Sequence, residues 1–189
     1  HPKSFVSLDQ ADHLMTAERD SRYAGRVLAA WAGKYLGIDR PVLRLGADAG
    51  ESISRTGASG FRSDVSLAGH TLIADEPEDY GGTDMGPTPY DLLSGALATC
   101  TSMTIRMYAD HKDLPMDAVT VSVRHDKIHA QDCEDCEQRE GRIDRFEREL
   151  RVEGDLSDEQ LRRIAEIADR CPVHRTLHGE ISVETKLRR

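Results

Sequence analysis

Aromatic side chains are scarce in this chain: three Phe, one Trp and five Tyr make up 5% of its 189 residues. The core must therefore be built from Leu, Ile, Val, Ala and Met. Basic charge is also in deficit. Twenty-five Lys and Arg against 34 Asp and Glu leave a formal net charge of −9 and a pI near 5.4. That balance argues against a nucleic-acid or anionic-membrane surface, either of which needs a basic footprint. No apolar run approaches the roughly 18 residues of a membrane span, and no signal peptide is visible. The four cysteines, in a chain without secretory features, read as thiols kept reduced rather than as a disulfide framework. These absences make a soluble cytoplasmic protein the default expectation. Repeats and low-complexity tracts are missing too, and the length suits one good core with an appendage.

What is present is organised around Gly81-Gly82-Thr83-Asp84-Met85-Gly86-Pro87-Thr88-Pro89-Tyr90-Asp91-Leu92-Leu93, running on to Cys100. A glycine-rich turn delivers a marked helix start. Thr88 suits the cap, Pro89 the first helical position, and Asp91 faces the positive end of the dipole. Leu93, Ala96, Leu97, Cys100, Met103, Thr104 and Met107 then repeat at helical spacing to about His111. This places Cys100 on a buried stripe. Gly95, Ala96 and Thr99 make the other side small and apolar as well, as in a central helix covered on several sides. A lone cysteine there is equally well read as inert core, since a free thiol behaves as a small hydrophobe.

Short strands are expected at Phe5–Leu8, Val42–Leu45 and Ser52–Arg55. Phe61, Ser63, Val65 and Leu67 alternate, Ala68-Gly69 turns, and His70–Ala74 returns. Past the central helix, Val119, Val121 and Val123 alternate with polar residues, and Phe146, Leu150 and Val152 alternate among charges. Together they predict a β-hairpin with a long polar tip around Gln131–Gly141. Ser157-Asp158-Glu159-Gln160 is a capping box opening a second amphipathic helix, with Leu161, Ile164, Ala165, Ala168 and Cys171 inward. Pro172 disfavours helical geometry at Cys171, so that helix breaks there and a short one reopens through His174 and Leu177. Cys171 then lies beside Arg170, His174 and Arg175, where basic neighbours and a helix start favour thiolate. Ile181–Leu187 reads as a closing strand.

Thr16 suits the cap of an N-terminal helix with Tyr23, Val27, Ala30, Trp31, Tyr35 and Leu36 on one face. This helix, with Phe5 to Asp12-His13-Leu14 before it, resembles the end of an α/β-hydrolase domain, where a late strand leads to the triad histidine. No G-x-S-x-G occurs in the chain, so His13 lacks the serine and acid that hydrolysis needs. The expected organisation is a hydrolase-like remnant over 1–36, a Gly- and Pro-containing linker over 37–50, and a main domain over 51–189.

The run Gly86-Pro87-Thr88-Pro89-Tyr90-Asp91-Leu92-Leu93 to Cys100, with Cys171-Pro172-Val173-His174 downstream, resembles the OsmC/Ohr family of organic hydroperoxide reductases. The resemblance implies an α+β OsmC-like fold, two central helices wrapped by curved antiparallel β-sheets, in an intertwined homodimer. It implies thiol peroxidase chemistry that requires no cofactor. Cys100 matches the position that attacks the peroxide, and Cys171 the position that resolves the sulfenic acid to a disulfide. An external dithiol would reset the pair, with alkyl or lipid hydroperoxides as substrates. In the family a glutamate partners an arginine that supports the reactive thiolate. That glutamate's register falls on Tyr90, with Asp91 one residue on, and the arginine would be Arg55 or Arg62. The other reading is a non-catalytic dimeric binding module.

One further group stands apart. His125 and His129 continue the Val119–Val123 face, and Cys133-Glu134-Asp135-Cys136 is a C-x-x-C in the hairpin tip. His125, His129, Cys133 and Cys136 have the donors for a zinc site. The same cysteines could form a redox dithiol, or the tip could be a solvated acidic loop.

Overall fold

The structure is a computed structural model, and it describes residues 5–9, 11–36, 45–46, 48, 50–129 and 142–188, without the side chains at 34, 128, 129 and 142. Among these residues the order is α1 (Glu18–Leu36), β1 (Ser52–Thr56), β2 (Ser63–Leu67), β3 (His70–Ala74), α2 (Pro89–His111), β4 (Met116–His129), β5 (Arg142–Gly154), α3 (Asp158–Ala168) and α4 (Pro172–His178). This is the expected α+β architecture of helices and antiparallel sheets. Two compact units are present, one of His1–Ile53 with Val65–Thr71 and the other of Ser54–Asp64 with Leu72–Arg189. The boundaries expected around 37–50 fall largely outside the described residues.

In the first unit, Asp12 closes a turn. Its carboxylate accepts from the Leu14 and Thr16 amides and from the Thr16 hydroxyl. Thr16 therefore serves Asp12 rather than capping α1, which starts two residues later. Phe5–Leu8 is not a strand, and Phe5 is 87% exposed. A four-residue run cannot hold an extended conformation without a neighbouring ladder. Trp31 and Tyr35 pack ring to ring at 5.1 Å on α1, yet both stay about half exposed.

The first sheet has the order β1–β2–β3. Ala68 and Gly69, both at positive φ (48° and 89°), form the tight turn the sequence predicts. After β3, Asp75 organises the glycine-rich stretch. It is 2% exposed and accepts from the Thr83 hydroxyl at 2.5 Å and from the Thr83, Met85 and Glu76 amides. That folds Thr83–Met85 back over Glu76 so tightly that a Cβ on Gly82 would lie 1.8 Å from the Glu76 carbonyl oxygen. Gly86 is similarly constrained: a Cβ there would lie 2.1 Å from the Ile73 carbonyl oxygen. The chain then enters α2 through a capping box: the Thr88 hydroxyl accepts from the Asp91 amide, and Asp91 accepts from the Thr88 amide.

The main core lies where α2, α3 and the β4–β5 hairpin meet. Ile105, Ala109, Met116, Ile164, Ile167 and Ala168 are buried there, with Val119, Leu150 and Val152 against them. Each fully buried isoleucine contributes about 2 kcal/mol. β4 and β5 pair antiparallel with Val119 opposite Val152, Val121 opposite Leu150 and His125 opposite Phe146. On α2 the buried residues are Ser94, Leu97, Thr101, Ile105 and Ala109. This corrects the expected stripe by about one residue, or roughly 100° of helix rotation. Cys100 is half-buried, while Met103 and Met107 are 61% and 71% exposed. Along α3 and its end, Ile164, Ala168 and Cys171 are buried as expected and Ile167 joins them, whereas Leu161 and Ala165 are exposed. Ile181–Leu187 has no strand partner among the described residues and is exposed, against the closing strand expected there.

Asp75 gives a direct test of this arrangement. The Thr83 hydroxyl bond, with help from three amides, holds its carboxyl below the usual 3.8 although burial pushes it up. A lowered native value means the stabilisation is complete above 3.8 and is lost as pH falls through the native value. Asp75→Asn is expected to lower the thermal midpoint by several degrees at neutral pH, with the gap to wild type closing only in strong acid. Coincident melting curves at neutral pH would contradict it.

Candidate active site

The site is assembled by three elements of the second unit. α2 brings Cys100 and, next to it, Thr101, which has no exposed surface. The break at Pro172 brings Cys171, also with no exposed surface and serving as the N-cap of α4. β5 brings Arg148, opposite Val123 and in register with the inward Phe146, Leu150 and Val152.

The contacts form a chain. Asp169 accepts from Arg148 Nη2 at 2.5 Å, and Arg148 Nη1 donates to the Ala168 carbonyl at 3.0 Å and to Thr101 Oγ1 at 3.2 Å. Thr101 Oγ1 in turn donates to Cys171 Sγ at 3.5 Å, and the His174 amide donates to the same sulfur at 3.2 Å. Cys100 is the residue next to Thr101 on α2. Burial pushes the Cys171 thiol up, but the Thr101, His174 and Cys100 hydrogen bonds and the Arg148 charge outweigh it, leaving the group below its usual 9.0. Cys171 thus bonds the hydroxyl of the residue next to Cys100, although the two cysteines are 71 positions apart in sequence. Chemically, an adjacent pair with one sulfur favoured as thiolate suits oxidation to a sulfenic acid and then a disulfide.

The remaining expected residues are placed elsewhere. Asp91 is engaged in the α2 capping box with Thr88. Arg55 is exposed on β1, and Arg62 lies 3.8 Å from Asp64 in a half-buried ion pair. Tyr90, at the register expected for a glutamate, stacks on the His125 ring at 4.1 Å and 6°, with Lys127 Nζ 5.7 Å from its centroid. His125 also hydrogen-bonds Asp144 through Nε2 at 2.8 Å and leans on Phe146. One ring nitrogen of this zinc-ligand candidate is therefore already engaged. Cys133, Cys136 and the His129 side chain lie outside the described residues. Among the described residues no group of three or more His, Cys, Asp or Glu is placed to hold a metal ion.

Sequence reasoning passed over Thr101 and Arg148. For Arg148 a signal was available: it shares the parity of Phe146, Leu150 and Val152, so β5 turns an arginine inward.

A buried hydroxyl, an inward arginine and the Cys171 sulfur are joined by hydrogen bonds on this α+β scaffold. Residues 82–186 match the family model described as OsmC-like protein, and the chain belongs to that family. Solved structures agree in fold. An OsmC-like protein from Mycoplasma pneumoniae is 16% identical, with a TM-score of 0.55 over 71% of this chain and 90% of that one. An organic hydroperoxide resistance protein from Elizabethkingia anophelis is also 16% identical, with a TM-score of 0.53 over 72% and 92%. A third, the organic hydroperoxide resistance protein OsmC of Legionella pneumophila, is 16% identical, with a TM-score of 0.51 over 68% and 88%. Comparison with curated proteins gives no match.

Because Asp91 closes the helix cap, Asp91→Ala is expected to lower the unfolding free energy by about 1 kcal/mol. The rate at which a disulfide reagent titrates the thiols should stay unchanged. A loss of thiol reactivity without a loss of stability would return Asp91 to the reactive site.

Proposed function

We propose that this chain is a thiol-dependent peroxidase that reduces organic hydroperoxides. The observation that carries the reading is the bond from Thr101 Oγ1 to Cys171 Sγ at 3.5 Å, which brings the turn of α2 that holds Cys100 against Cys171. Cys100, the less buried of the two, attacks the distal peroxide oxygen. The O–O bond breaks, the alkoxide leaves and is protonated to the alcohol, and the Cys100 sulfur is oxidised to sulfenic acid. Cys171 then attacks that sulfur, a disulfide forms and water leaves. An external dithiol reduces the disulfide by exchange and is itself oxidised. Two relatives of the same fold are named as organic hydroperoxide resistance proteins, which supports the substrate class. The exposed Met103 and Met107 near Cys100 on α2 favour an alkyl or lipid chain over hydrogen peroxide.

The same reading includes a second copy of the chain. Met103 and Met107 on α2, with Ile181 and Val183 at 60% and 83% exposure in the unpaired final segment, are what an intertwined homodimer would cover. The cytoplasmic setting and the hydrolase-like origin of residues 1–36 belong to this proposal as well. So does a zinc or dithiol role for His125, His129, Cys133 and Cys136.

Two measurements test it. Dithiol-driven consumption of an alkyl hydroperoxide should fall to the buffer rate in Cys100→Ser and to a small fraction of wild type in Cys171→Ser. Turnover that survives both substitutions would overturn the peroxidase and leave a binding module. Light scattering on wild type should give twice the chain mass, and Met103→Glu with Met107→Glu should shift it toward one. A wild-type monomer at micromolar concentration would remove the dimer from the account.

A further inference from the structure

A sulfenic acid on a half-buried cysteine has two fates. A neighbouring thiol closes it to a disulfide, or a second hydroperoxide carries it on to sulfinic acid. How firmly the thiol is held decides between them, because a positioned intramolecular partner acts at a far higher effective concentration than a loose one. Cys100 is half-buried, whereas Cys171 has no exposed surface. The closing step therefore depends on what fixes the buried sulfur against α2.

Two connections fix it, and together they form a closed circuit. One is the chain itself: Cys171 follows Ala168 and Asp169 directly, at the extended break before α4. The other runs through side chains. Arg148 Nη1 donates to the Ala168 carbonyl at 3.0 Å, and Nη2 donates to Asp169 at 2.5 Å. Arg148 Nη1 also donates to Thr101 Oγ1 at 3.2 Å, and Thr101 Oγ1 donates to Cys171 Sγ at 3.5 Å, which returns to the same stretch. The His174 amide meets the sulfur from the α4 side at 3.2 Å. A cysteine side chain otherwise turns among its staggered rotamers. Here donors from two elements select one. Each needs only a lone pair on the sulfur, so the placement is the same for a thiol and for a thiolate.

Thr101 itself has no exposed surface. A valine would fill that volume without a hydroxyl to satisfy, and a buried hydroxyl is costly unless bonded. The two bonds of this hydroxyl lead to the guanidinium and to the sulfur. We propose that Thr101 and Arg148 are positioning residues for disulfide closure: they hold the Cys171 sulfur against the α2 turn that carries Cys100, so that a sulfenic acid there is closed before a second hydroperoxide reaches it. The proposal rests on the peroxidase reading for the origin of the sulfenic acid, not for the placement of the sulfur. In the step, the Cys171 sulfur attacks the Cys100 sulfur, the S–S bond forms and the S–O bond breaks. The Cys171 proton leaves with the displaced hydroxide as water. The Cys171 sulfur is oxidised and the Cys100 sulfur reduced. In the competing branch the hydroperoxide gives an oxygen to the Cys100 sulfur, its O–O bond breaks and the alcohol leaves.

The first test needs no hydroperoxide. In a Cys133→Ser/Cys136→Ser background, so that the hairpin cysteines do not contribute, the reduced protein is mixed with a chromogenic aromatic disulfide. Cys100 attacks the reagent and releases one coloured thiolate, and Cys171 then displaces a second from Cys100. The second phase is intramolecular and its rate is independent of reagent concentration. Thr101→Val should slow it about tenfold relative to the first phase, as expected for one lost buried hydrogen bond, and Thr101→Ser should recover most of that loss. Arg148→Met should slow it as well. With excess alkyl hydroperoxide, mass spectrometry of Thr101→Val should find more sulfinic acid at Cys100 and less Cys100–Cys171 disulfide than in wild type. A phase ratio indifferent to Thr101 overturns the proposal, whether or not hydroperoxide is consumed. Thr101→Ser as slow as Thr101→Val makes the effect one of packing and overturns it too. A slowed, serine-rescued second phase in a protein that consumes no hydroperoxide supports the positioning role and overturns the peroxidase reading alone.

Discussion

An arginine turned inward on a β-strand must find acceptors, because an unpaired charge in apolar surroundings costs several kcal/mol. Arg148 occupies such a position, with 14% of its side chain exposed. Its partners are a hydroxyl on α2, the last carbonyl of α3 and the Asp169 carboxylate beyond it. Because these partners lie on α2 and at the α3 terminus, one guanidinium sets the spacing of β5, α2 and the α3 terminus. Cys100 precedes Thr101 by one residue and Cys171 follows Asp169 by two. Both sulfurs are therefore located by the same group. The apolar cluster of Ile105, Met116, Ile164 and Ile167 supplies most of the energy that brings these elements together. Arg148 decides where along them the contact falls.

Pro172 completes the placement. A helix running on through Cys171 would keep its sulfur on a regular stripe and use its neighbours' amides internally. With φ of −62° and ψ of 140° at Cys171, the backbone is extended, and the His174 amide is left free to meet the sulfur. Cys171 thus caps α4 and sets its sulfur against Thr101. Upstream, Asp75 does comparable work for the entry of α2. By gathering four donors it folds the glycine-rich stretch so that Thr88 and Asp91 can cap the helix that carries Cys100.

The features legible in the sequence are those completed within a few residues. Both capping boxes, the Ala68-Gly69 turn, the alternation of Val119–Val123 and the break at Pro172 are local and occur where expected. The buried face of α2 was not legible. Its residues are small or apolar nearly all round, so periodicity alone cannot choose a side, and the choice is made by α3, α4 and the hairpin. Ile181–Leu187 alternates like a strand but has no ladder to join among the described residues, and strand pairing is not a property of one segment. Arg148 was hidden differently. It lies among Arg145, Glu147, Glu149 and Arg151, and only the register against β4 separates the inward charge from the outward ones. The cysteine pair itself was reached through a family likeness, because a separation of 71 positions carries no spacing rule that brings two thiols together.

The claim on which the account turns is that Cys100 and Cys171 act as one redox unit. The most direct measurement is peptide mapping of the reduced protein after one equivalent of an alkyl hydroperoxide, with free thiols counted before and after. The account predicts rapid loss of two thiols and a single cross-linked peptide joining Cys100 to Cys171. Loss confined to Cys133 and Cys136, or survival of all four thiols, would contradict it.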